Sequence, residues 1–270
     1  MSPDTESLAG ADQMELEQLH SQHLVWRDFT ERFLNRLHVG TGWKCLDVGS
    51  GPGYVAMDIL QRVGPSGHVT LLEPSTLFLD WFRAKAGTEQ WKNVDLVQGT
   101  VEGAKMPRGK YDLIFVRLVL SFVSNPENFL VRLFQLLRKG GVLAVQDYFY
   151  EGLSLFPRGG IWDRMPDVIR RYYESAGGNP YVTGSLPSFF RRYGLKLVDF
   201  QPNVLTGRPG TPAFEWADSF FALHTPRMVE RGLISQPEGD ALIADWNDHK
   251  NNPDAIFFSP IVLDVAGEKE

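Results

Sequence analysis

An aspartate followed by three alternating glycines is the feature of this sequence with the clearest chemical content. Asp47 precedes Gly49, Gly51 and Gly53, and glycines at this spacing let the backbone turn tightly and let a ligand approach main-chain N–H groups. The loop of dinucleotide-binding enzymes would need glycine at the next position, where this chain has Tyr54. The Asp47 carboxylate would repel a pyrophosphate but would pair well with an ammonium group. The loop therefore favours a ligand that carries an amino group and lacks phosphate.

A second acid follows at a spacing that suits a ribose. Glu73 lies 20 residues after Gly53, about the distance expected for a carboxylate that hydrogen-bonds a ribose diol. Taken singly, Asp47 could be a capping residue and Glu73 a solvated charge at a strand end. Together, at this spacing, the two acids favour S-adenosylmethionine, which offers an α-amino group and a ribose but no phosphate.

The hydrophobic pattern predicts the elements that would position both acids. Apolar residues in segment 15–37 recur at mostly helical spacing and predict one long or broken helix. Beyond it, short apolar runs alternate with helical segments, of which Tyr54–Val63 follows the glycines directly. This alternation predicts an α/β fold in which a parallel sheet is covered by helices on both faces. The runs that we interpret as strands are 45–48, 69–72, 94–97, 113–116 and 142–145.

Helix-cap and turn residues predict where the later elements begin and end. Ser124 and Glu127 form the S-x-x-E capping pattern, Pro126 suits a first helical turn, and Gly140-Gly141 is expected to end that helix. Segment 148–186 is rich in glycine, proline and aromatic residues and predicts a cap inserted in the sheet domain. The later predictions are a helix over 186–193, a strand near 195–200, a second cap-like helical stretch over 214–246 and a last strand over 256–265.

The composition restricts the class of protein. With 270 residues and 43% hydrophobic content, the chain can bury a full core as one large domain. A net charge of -6 gives no broad field for phosphate backbones, so nucleic acid is not expected as a partner. No apolar run approaches the roughly 20 residues of a membrane span. Cys45 is the single cysteine and is expected to be buried, and the acidic N-terminus does not resemble a secretion signal. We therefore expect a cytoplasmic protein, for which a homodimer is allowed.

Several segments resemble the class I S-adenosylmethionine-dependent methyltransferases in the order found in that family. Cys45-Leu46-Asp47-Val48-Gly49-Ser50-Gly51-Pro52-Gly53-Tyr54 is similar to the first motif of the class, and Thr70-Leu71-Leu72-Glu73-Pro74-Ser75 to its acidic second motif. Tyr111-Asp112-Leu113-Ile114-Phe115-Val116-Arg117 resembles strand four, and Leu137-Arg138-Lys139-Gly140-Gly141-Val142-Leu143 the approach to strand five. The resemblance covers about residues 18–147. It implies a Rossmann-like methyltransferase fold, with a mostly parallel seven-stranded sheet, helices on both faces and helical cap insertions.

The resemblance also implies three regions and a set of cofactor contacts. The regions are an N-terminal helical segment that closes over the cofactor (1–40), a cofactor-binding core (41–148), and substrate cap segments with the last sheet strands (149–270). Thr100 stands where the family usually has an aspartate that binds the adenine amino group. The residues expected to contact S-adenosylmethionine are Asp47, Gly49, Ser50, Gly51, Gly53, Glu73, Pro74, Ser75, Gly99, Thr100, Val101, Arg117, Gln22 and Trp26.

Within the class, the chain looks most like the small-molecule subgroup, which includes ubiquinone and menaquinone biosynthesis enzymes and natural-product tailoring enzymes. The implied activity is methyl transfer to a largely apolar small-molecule acceptor by in-line displacement, a reaction that needs few catalytic side chains. If the acceptor must lose a proton, the candidate bases are His20, His23, Asp147 and His224. His20 and His23 lie one helical turn apart, but no further ligands are identifiable and no metal is expected.

Aromatic and basic residues of the second half remain open to two interpretations. Phe214, Trp216, Phe220 and Phe221 could line a pocket for an apolar acceptor or could build an ordinary core. The pairs Arg170-Arg171 and Arg191-Arg192 could bind an anionic group or lie on solvated helix faces.

Two functions from other classes also remain open at this point. One is a scaffold that binds S-adenosylmethionine without methyl transfer, and the other is a nicotinamide-dependent oxidoreductase with an unusual loop. Methyltransferases that modify amino groups of nucleic acid resemble one another in an N-P-P-Y motif after strand four. Here that place reads Val116-Arg117-Leu118-Val119.

Overall fold

The computed structural model describes the backbone of residues 3–270 and the side chains of residues 15–270. The helices are α1 (Pro3–Arg36), α2 (Tyr54–Val63), α3 (Thr76–Glu89), α4 (Pro126–Leu136), α5 (Met165–Ser175), α6 (Leu186–Tyr193), α7 (Pro212–Glu230) and α8 (Gln236–Lys250). The strands are β1 (Lys44–Val48), β2 (His68–Glu73), β3 (Val94–Gln98), β4 (Tyr111–Arg117), β5 (Leu137–Phe149), β6 (Ser154–Phe156), β7 (Leu195–Asn203), β8 (Thr206–Gly207), β9 (Ile256–Phe258) and β10 (Ile261–Lys269).

Seven of the strands form one mostly parallel sheet in the order β3-β2-β1-β4-β5-β10-β7. The pairs among β1 to β5 are parallel, whereas β10 is antiparallel to both β5 and β7. The predicted α/β fold with a mostly parallel seven-stranded sheet is therefore confirmed. Among the described residues, no helix combines the length and the apolarity that crossing a membrane requires.

Each face of this sheet carries its own hydrophobic core, because successive residues of a strand point to opposite faces. On one face, Cys45 and Phe115 pack with Phe33 of α1 and with apolar residues of α2 and α3. On the other, Leu46 and Ile114 pack with apolar residues of α4 and α6. Cys45 is fully buried, and its burial raises the pKa of the thiol.

The chain divides into two compact units. One unit contains Phe29–Phe149, Tyr173–Asn203 and Ile261–Glu270, and therefore the whole seven-stranded sheet. The other contains the described residues up to Asp28 together with Tyr150–Tyr172 and Val204–Pro260. It holds a small antiparallel sheet in the order β6-β9-β8. We call these the sheet unit and the cap unit.

Helix α4 begins and ends differently from its prediction. Asn125, rather than Ser124, is its N-cap, and the Asn125 side chain accepts a hydrogen bond from the backbone N–H of Asn128 at 3.1 Å. Pro126 occupies the first turn, as predicted. The helix ends at Leu136, before the glycines, and Gly141 lies inside β5, where a Cβ atom would be 2.7 Å from the carbonyl oxygen of Tyr111. That glycine therefore permits a close approach of β5 to β4.

The predicted last strand over 256–265 is wrong as a single element. It consists of β9, which belongs to the small sheet, and β10, which belongs to the large one. The break falls at Ser259 and Pro260. Proline cannot donate to a strand ladder, and the Ser259 hydroxyl instead accepts a hydrogen bond from the backbone N–H of Leu205 at 2.9 Å. The predictions of α2 and α6 match the observed bounds.

An aromatic cluster forms the core of the cap unit. The Trp246 ring lies 4.7 Å from both Phe214 and Phe221 and 5.8 Å from Trp162, measured between ring centroids. All four side chains are buried, and the Trp246 indole N–H donates to Asp218 at 2.7 Å. In this unit the predicted aromatic residues Phe214 and Phe221 therefore serve packing.

We predict that Trp246→Ala lowers the free energy of unfolding by about 3–5 kcal/mol, because the truncation leaves a large cavity. The matched control is Ile243→Ala on the same helix, since Ile243 is exposed and its truncation should change stability by no more than about 0.5 kcal/mol. Urea unfolding followed by circular dichroism measures both. Equal losses in the two variants would contradict this account of the cap-unit core.

Candidate functional site

Four loops with predicted site residues meet at one edge of the large sheet. Because β1 to β4 are parallel neighbours, their carboxyl ends lie at the same edge, and the strand order changes direction there, with β2 and β4 on opposite sides of β1. Open α/β sheets bind ligands at such a point. The residues gathered there are Asp47 to Gly53 after β1, Glu73 to Ser75 after β2, Gly99 to Val101 after β3, and Arg117 at the end of β4.

Asp47 is a buried acid with unused hydrogen-bonding capacity. It is 2% exposed, and its Oδ2 has no hydrogen-bond partner. Burial raises the pKa of Asp47 to about 7, although the charge of Arg117 and the backbone N–H of Ala56 both act to lower it. A carboxylate in this position is stabilised by any cation that reaches it, because its own surroundings solvate it poorly.

The glycine loop after β1 adopts a conformation that side chains would strain. Gly49, Gly51 and Gly53 have φ angles of 62°, 52° and 78°, in the left-handed region that favours glycine. Gly53 also lies against the side chains of Phe82 and Leu71, so that a Cβ atom there would overlap both. The conformation of the loop is therefore held both by its backbone geometry and by the contacts of Gly53 with Phe82 and Leu71.

Glu73 fastens this loop to the end of β2. Its Oε2 accepts a hydrogen bond from the backbone N–H of Gly51 at 2.8 Å, and its Oε1 accepts one from the backbone N–H of Ser75 at 2.9 Å. The Ser75 hydroxyl in turn accepts from the N–H of Phe78 and caps α3. Each carboxylate oxygen has a second lone pair. Glu73 can therefore shape the loop and still accept from a ligand hydroxyl.

The turn after β3 follows directly on this arrangement. The backbone N–H of Gly99 donates to the carbonyl of Glu73 at 3.1 Å. The Thr100 hydroxyl accepts from the N–H of Gly103 at 3.3 Å, and Thr100 itself is exposed. Val101 is 7% exposed and belongs to the core. Thr100 is thus the accessible side chain of this turn.

Arg117 places a positive charge on the same sheet face as Asp47. The register pairs Asp47 with Phe115, two residues before Arg117, and residues two apart on a strand share a face. Burial lowers the pKa of Arg117 to about 10, while the charge of Asp47 raises it in part. Arg117 stays protonated at neutral pH, so the two side chains form a mutually attracting pair.

Three buried polar residues of the sheet unit were not identified from the sequence. They are Thr30, Gln146 and Asp264, and each is at most 1% exposed. Hydrogen bonds connect Arg117 to Thr30, Thr30 to Gln146, and Gln146 to Asp264. A sequence signal did exist, because each is a polar residue on a face of a helix or strand that is otherwise largely apolar. Such a residue needs a buried partner.

Gln22 and Trp26 belong to the cap unit. Trp26 is 1% exposed and packs edge-on against Trp216 at 5.9 Å between ring centroids, which is an ordinary packing role. Gln22 is half-buried. Contact of either residue with a cofactor stays a prediction.

The proposed bases differ in their surroundings. The Asp147 carboxylate accepts hydrogen bonds from the backbone N–H groups of Leu120 (2.6 Å), Ser121 (3.3 Å) and Tyr148 (2.7 Å), so it anchors the turn after β4. Burial raises the pKa of Asp147, while these hydrogen bonds act to lower it, and a role as a base stays a prediction. Burial lowers the pKa of His224 to about 4, and its Nδ1 lies 3.2 Å from the Tyr172 hydroxyl.

The other histidine candidates and the arginine pairs differ in exposure and in their protein partners. His20 is exposed and His23 is buried, and within residues 15–270 no group of three metal-binding side chains is present. Arg170 pairs with Asp167 and Arg192 with Glu127. These two arginines therefore have protein partners.

The segment that contains these loops is similar to known methyltransferases. A methyltransferase domain model matches residues 46–145. The demethylmenaquinone methyltransferase of Lactococcus lactis subsp. lactis is 30% identical to this chain over 193 residues, which is 67% of this chain and 75% of that protein.

Solved structures show the same fold. The phosphoethanolamine N-methyltransferase 2 of Haemonchus contortus in complex with S-adenosyl-L-methionine superposes with a TM-score of 0.58 at 15% identity, covering 93% of this chain and 56% of that one. The [4+2]-cyclase SpnF gives a TM-score of 0.57 at 16% identity, covering 90% of this chain and 80% of that one.

We predict that Gly53→Ala lowers the free energy of unfolding by about 2–5 kcal/mol, because it adds left-handed strain to an overlap with Phe82 and Leu71. Gly194→Ala is the matched control, since Gly194 is left-handed like Gly53 (φ 72°, ψ 34°) and has nothing within 4 Å of its Cβ position. It should cost only about 1 kcal/mol. Chemical denaturation compares the two, and equal losses would show that packing beneath the loop is unimportant.

Proposed function

The chain belongs to the S-adenosylmethionine-dependent methyltransferases, and we propose that it binds S-adenosylmethionine at the loops after β1 to β4 and methylates a largely apolar small molecule. The observation that carries this proposal is the buried Asp47 carboxylate, whose Oδ2 has no partner beside a glycine loop. A ligand ammonium would supply the missing hydrogen bond and charge. Family membership also decides against the nicotinamide-dependent oxidoreductase.

The amino-acid end of the cofactor suits the charges of Asp47 and Arg117. That end is a zwitterion, with an α-ammonium that would pair with Asp47 and an α-carboxylate that would pair with Arg117. Because the two side chains share one sheet face and influence each other's pKa, the ligand would add two opposite charges to a pair that is already balanced. The amino-acid end of the ligand would therefore add no net charge beside Asp47 and Arg117.

The nucleoside end would extend over β2 and β3. The carboxylate of Glu73 keeps lone pairs for the two ribose hydroxyls, while the glycine backbone and residues Pro74 and Ser75 would line the same side. The exposed Thr100 hydroxyl and the neighbouring backbone of Gly99 and Val101 would meet the adenine. Threonine can accept a hydrogen bond from the adenine amino group without adding a charge.

Methyl transfer itself requires alignment more than acid–base catalysis. An acceptor nucleophile attacks the methyl carbon in line with the departing sulfur, and the sulfonium charge disperses as the bond to sulfur breaks. The name of the Lactococcus relative supports an apolar quinone-like acceptor. Burial lowers the pKa of His224 to about 4, so this histidine is neutral but weakly basic at physiological pH. His20, His23 and His224 all stay candidate bases for an acceptor that must lose a proton.

We predict that Asp47→Asn weakens the binding of S-adenosylhomocysteine about 10- to 100-fold, because it removes a charge-assisted hydrogen bond. Isothermal titration calorimetry measures the affinity, and labelled methyl transfer to demethylmenaquinol or a related prenylated quinol measures turnover. Asp95→Asn is the control, since Asp95 is an exposed carboxylate of β3 that pairs with His68. Wild-type protein that fails to bind S-adenosylhomocysteine would overturn the proposal.

We also predict that S-adenosylhomocysteine binds more tightly as the pH rises from about 5.5 to 7.5. The folded pKa of Asp47 is about 7, so the carboxyl group is mostly protonated at pH 5.5 and cannot pair with an ammonium. Affinity should rise by up to tenfold per pH unit below pH 7 and level off above it. In Asp47→Asn this rise should disappear, and a flat wild-type profile would contradict the assignment.

The same shift has a consequence for the ligand-free protein. A carboxyl group whose folded pKa is raised stabilises the fold at low pH, and that contribution is lost as the pH rises through its folded pKa. Asp47→Asn should therefore be at least as stable as wild type at pH 8, although it binds the cofactor product more weakly. Thermal unfolding of the ligand-free wild-type and Asp47→Asn proteins at pH 8 measures this, and a clearly lower melting temperature of the variant would contradict the prediction.

A further inference from the structure

A rung of polar side chains crosses three strands of the large sheet at the level of Arg117. The register pairs Arg117 of β4 with Gln146 of β5, and Gln146 with Asp264 of β10. Paired residues on neighbouring strands point to the same face, so the three side chains lie in a row. Their face is the one covered by α1, because Phe115 of that face packs against Phe33 at 5.8 Å.

Hydrogen bonds run along this rung in a single direction. Arg117 Nη1 donates to the Thr30 hydroxyl at 3.3 Å, and that hydroxyl donates to Gln146 Oε1 at 2.6 Å. Gln146 Nε2 then donates to Asp264 Oδ1 at 2.7 Å. Since a carboxylate can only accept, Asp264 fixes which end of the Gln146 amide faces it. The amide oxygen is thereby directed to Thr30, whose own lone pairs are left for Arg117.

Asp264, the last group in this series of hydrogen bonds, is bound by a second arginine. Arg36 Nη2 donates to Asp264 Oδ2 at 2.8 Å, and the same guanidinium group bonds both carboxylate oxygens of Asp199. Arg36 and Thr30 both belong to α1. Helix α1 therefore supplies both the Thr30 hydroxyl, which binds Arg117, and the Arg36 guanidinium, which balances the charge of the buried Asp264 carboxylate.

Gln146 also fixes the backbone just beyond Arg117. Its carbonyl oxygen accepts a hydrogen bond from the N–H of Leu118 at 2.9 Å. Leu118 has a φ of 55°, a left-handed conformation that costs free energy in a residue other than glycine. The main chain and the side chain of one residue thus restrain both the turn after Arg117 and its guanidinium group.

We propose that Thr30 and Gln146 are positioning residues that hold the Arg117 guanidinium for the α-carboxylate of the cofactor and thereby set the affinity for its amino-acid end. This inference rests on the proposed function. It identifies the determinant of affinity as a series of hydrogen bonds through Thr30 and Gln146 that ends at Asp264. Neither Thr30 nor Gln146 needs to touch the cofactor.

Two ligands separate positioning from general structural support. S-adenosylhomocysteine has the amino-acid end, whereas 5′-deoxy-5′-methylthioadenosine has the nucleoside without it. A residue that positions Arg117 affects only the first ligand. A residue that merely supports the fold affects both, because the same sheet edge would hold the nucleoside of each.

The experiment uses Thr30→Val, which removes the hydroxyl at nearly constant shape, with Thr30→Ser as the matched control that keeps it. Calorimetry on the full chain should show S-adenosylhomocysteine binding about tenfold more weakly to Thr30→Val, as expected for a lost hydrogen bond to a charged group. Methylthioadenosine should bind to Thr30→Val as tightly as to the wild-type protein. Thr30→Ser should retain most of the wild-type affinity for S-adenosylhomocysteine. Equal weakening of both ligands, or no weakening of either, would overturn the inference.

A double-mutant cycle provides the second test. In an Arg117→Met background, Thr30→Val should cause no further loss of S-adenosylhomocysteine affinity, because the group that it positions is absent. Additive losses would overturn the inference. A different result would overturn the proposed function, namely that wild-type protein binds neither ligand. If wild-type protein binds both ligands, the affinities of the variants test the positioning role of Thr30 and Gln146.

Discussion

Buried charges need partners, and this requirement organises the large sheet around one of its faces. Asp47, Arg117 and Asp264 all lie on the face covered by α1, and Arg36 of that helix joins them. Asp47 lies near Arg117, and Asp264 pairs with Arg36. A zwitterionic ligand end suits such a set because it can enter between an acid and a base without changing the balance.

The arrangement depends on strand register. A slip of one residue between β4 and β5 would turn Gln146 to the opposite face, toward the apolar side chains of α4 and α6. Arg117 and Asp264 would then lose the group that joins them. The row formed by Arg117, Gln146 and Asp264 therefore makes incorrect strand registers less stable. The apolar residues of these strands discriminate less between registers, because many of them are valine or leucine.

The sequence predicted those parts of the molecule that depend on local pattern. The glycine loop and Glu73 could be identified because their chemistry follows directly from residue type and from distance to a strand end. Thr30 and Asp264 could not, because a polar residue in an apolar stripe reveals that a partner exists and not which of many residues it is. Their pairing spans 116 residues from Thr30 to Gln146 and 118 from Gln146 to Asp264.

One wrong helix cap and one question left open by the sequence have similarly physical causes. Ser124 and Asn125 are both good helix caps one residue apart, and only the geometry of the entering chain selects Asn125. Phe214 and Phe221 are equally suited to a pocket and to a core, and the outcome was decided by Trp246, which packs between them.

Strand β10 follows every other strand in the chain yet lies in the interior of the sheet, between β5 and β7. A nascent chain that has emerged only through β9 therefore has a gap where Asp264 belongs, and the Gln146 amide lacks the carboxylate that orients it. Contacts of such long sequence separation form late, since the loop entropy must be lost first. The proposed role of Arg117 in holding a cofactor therefore depends on β10 having entered the sheet.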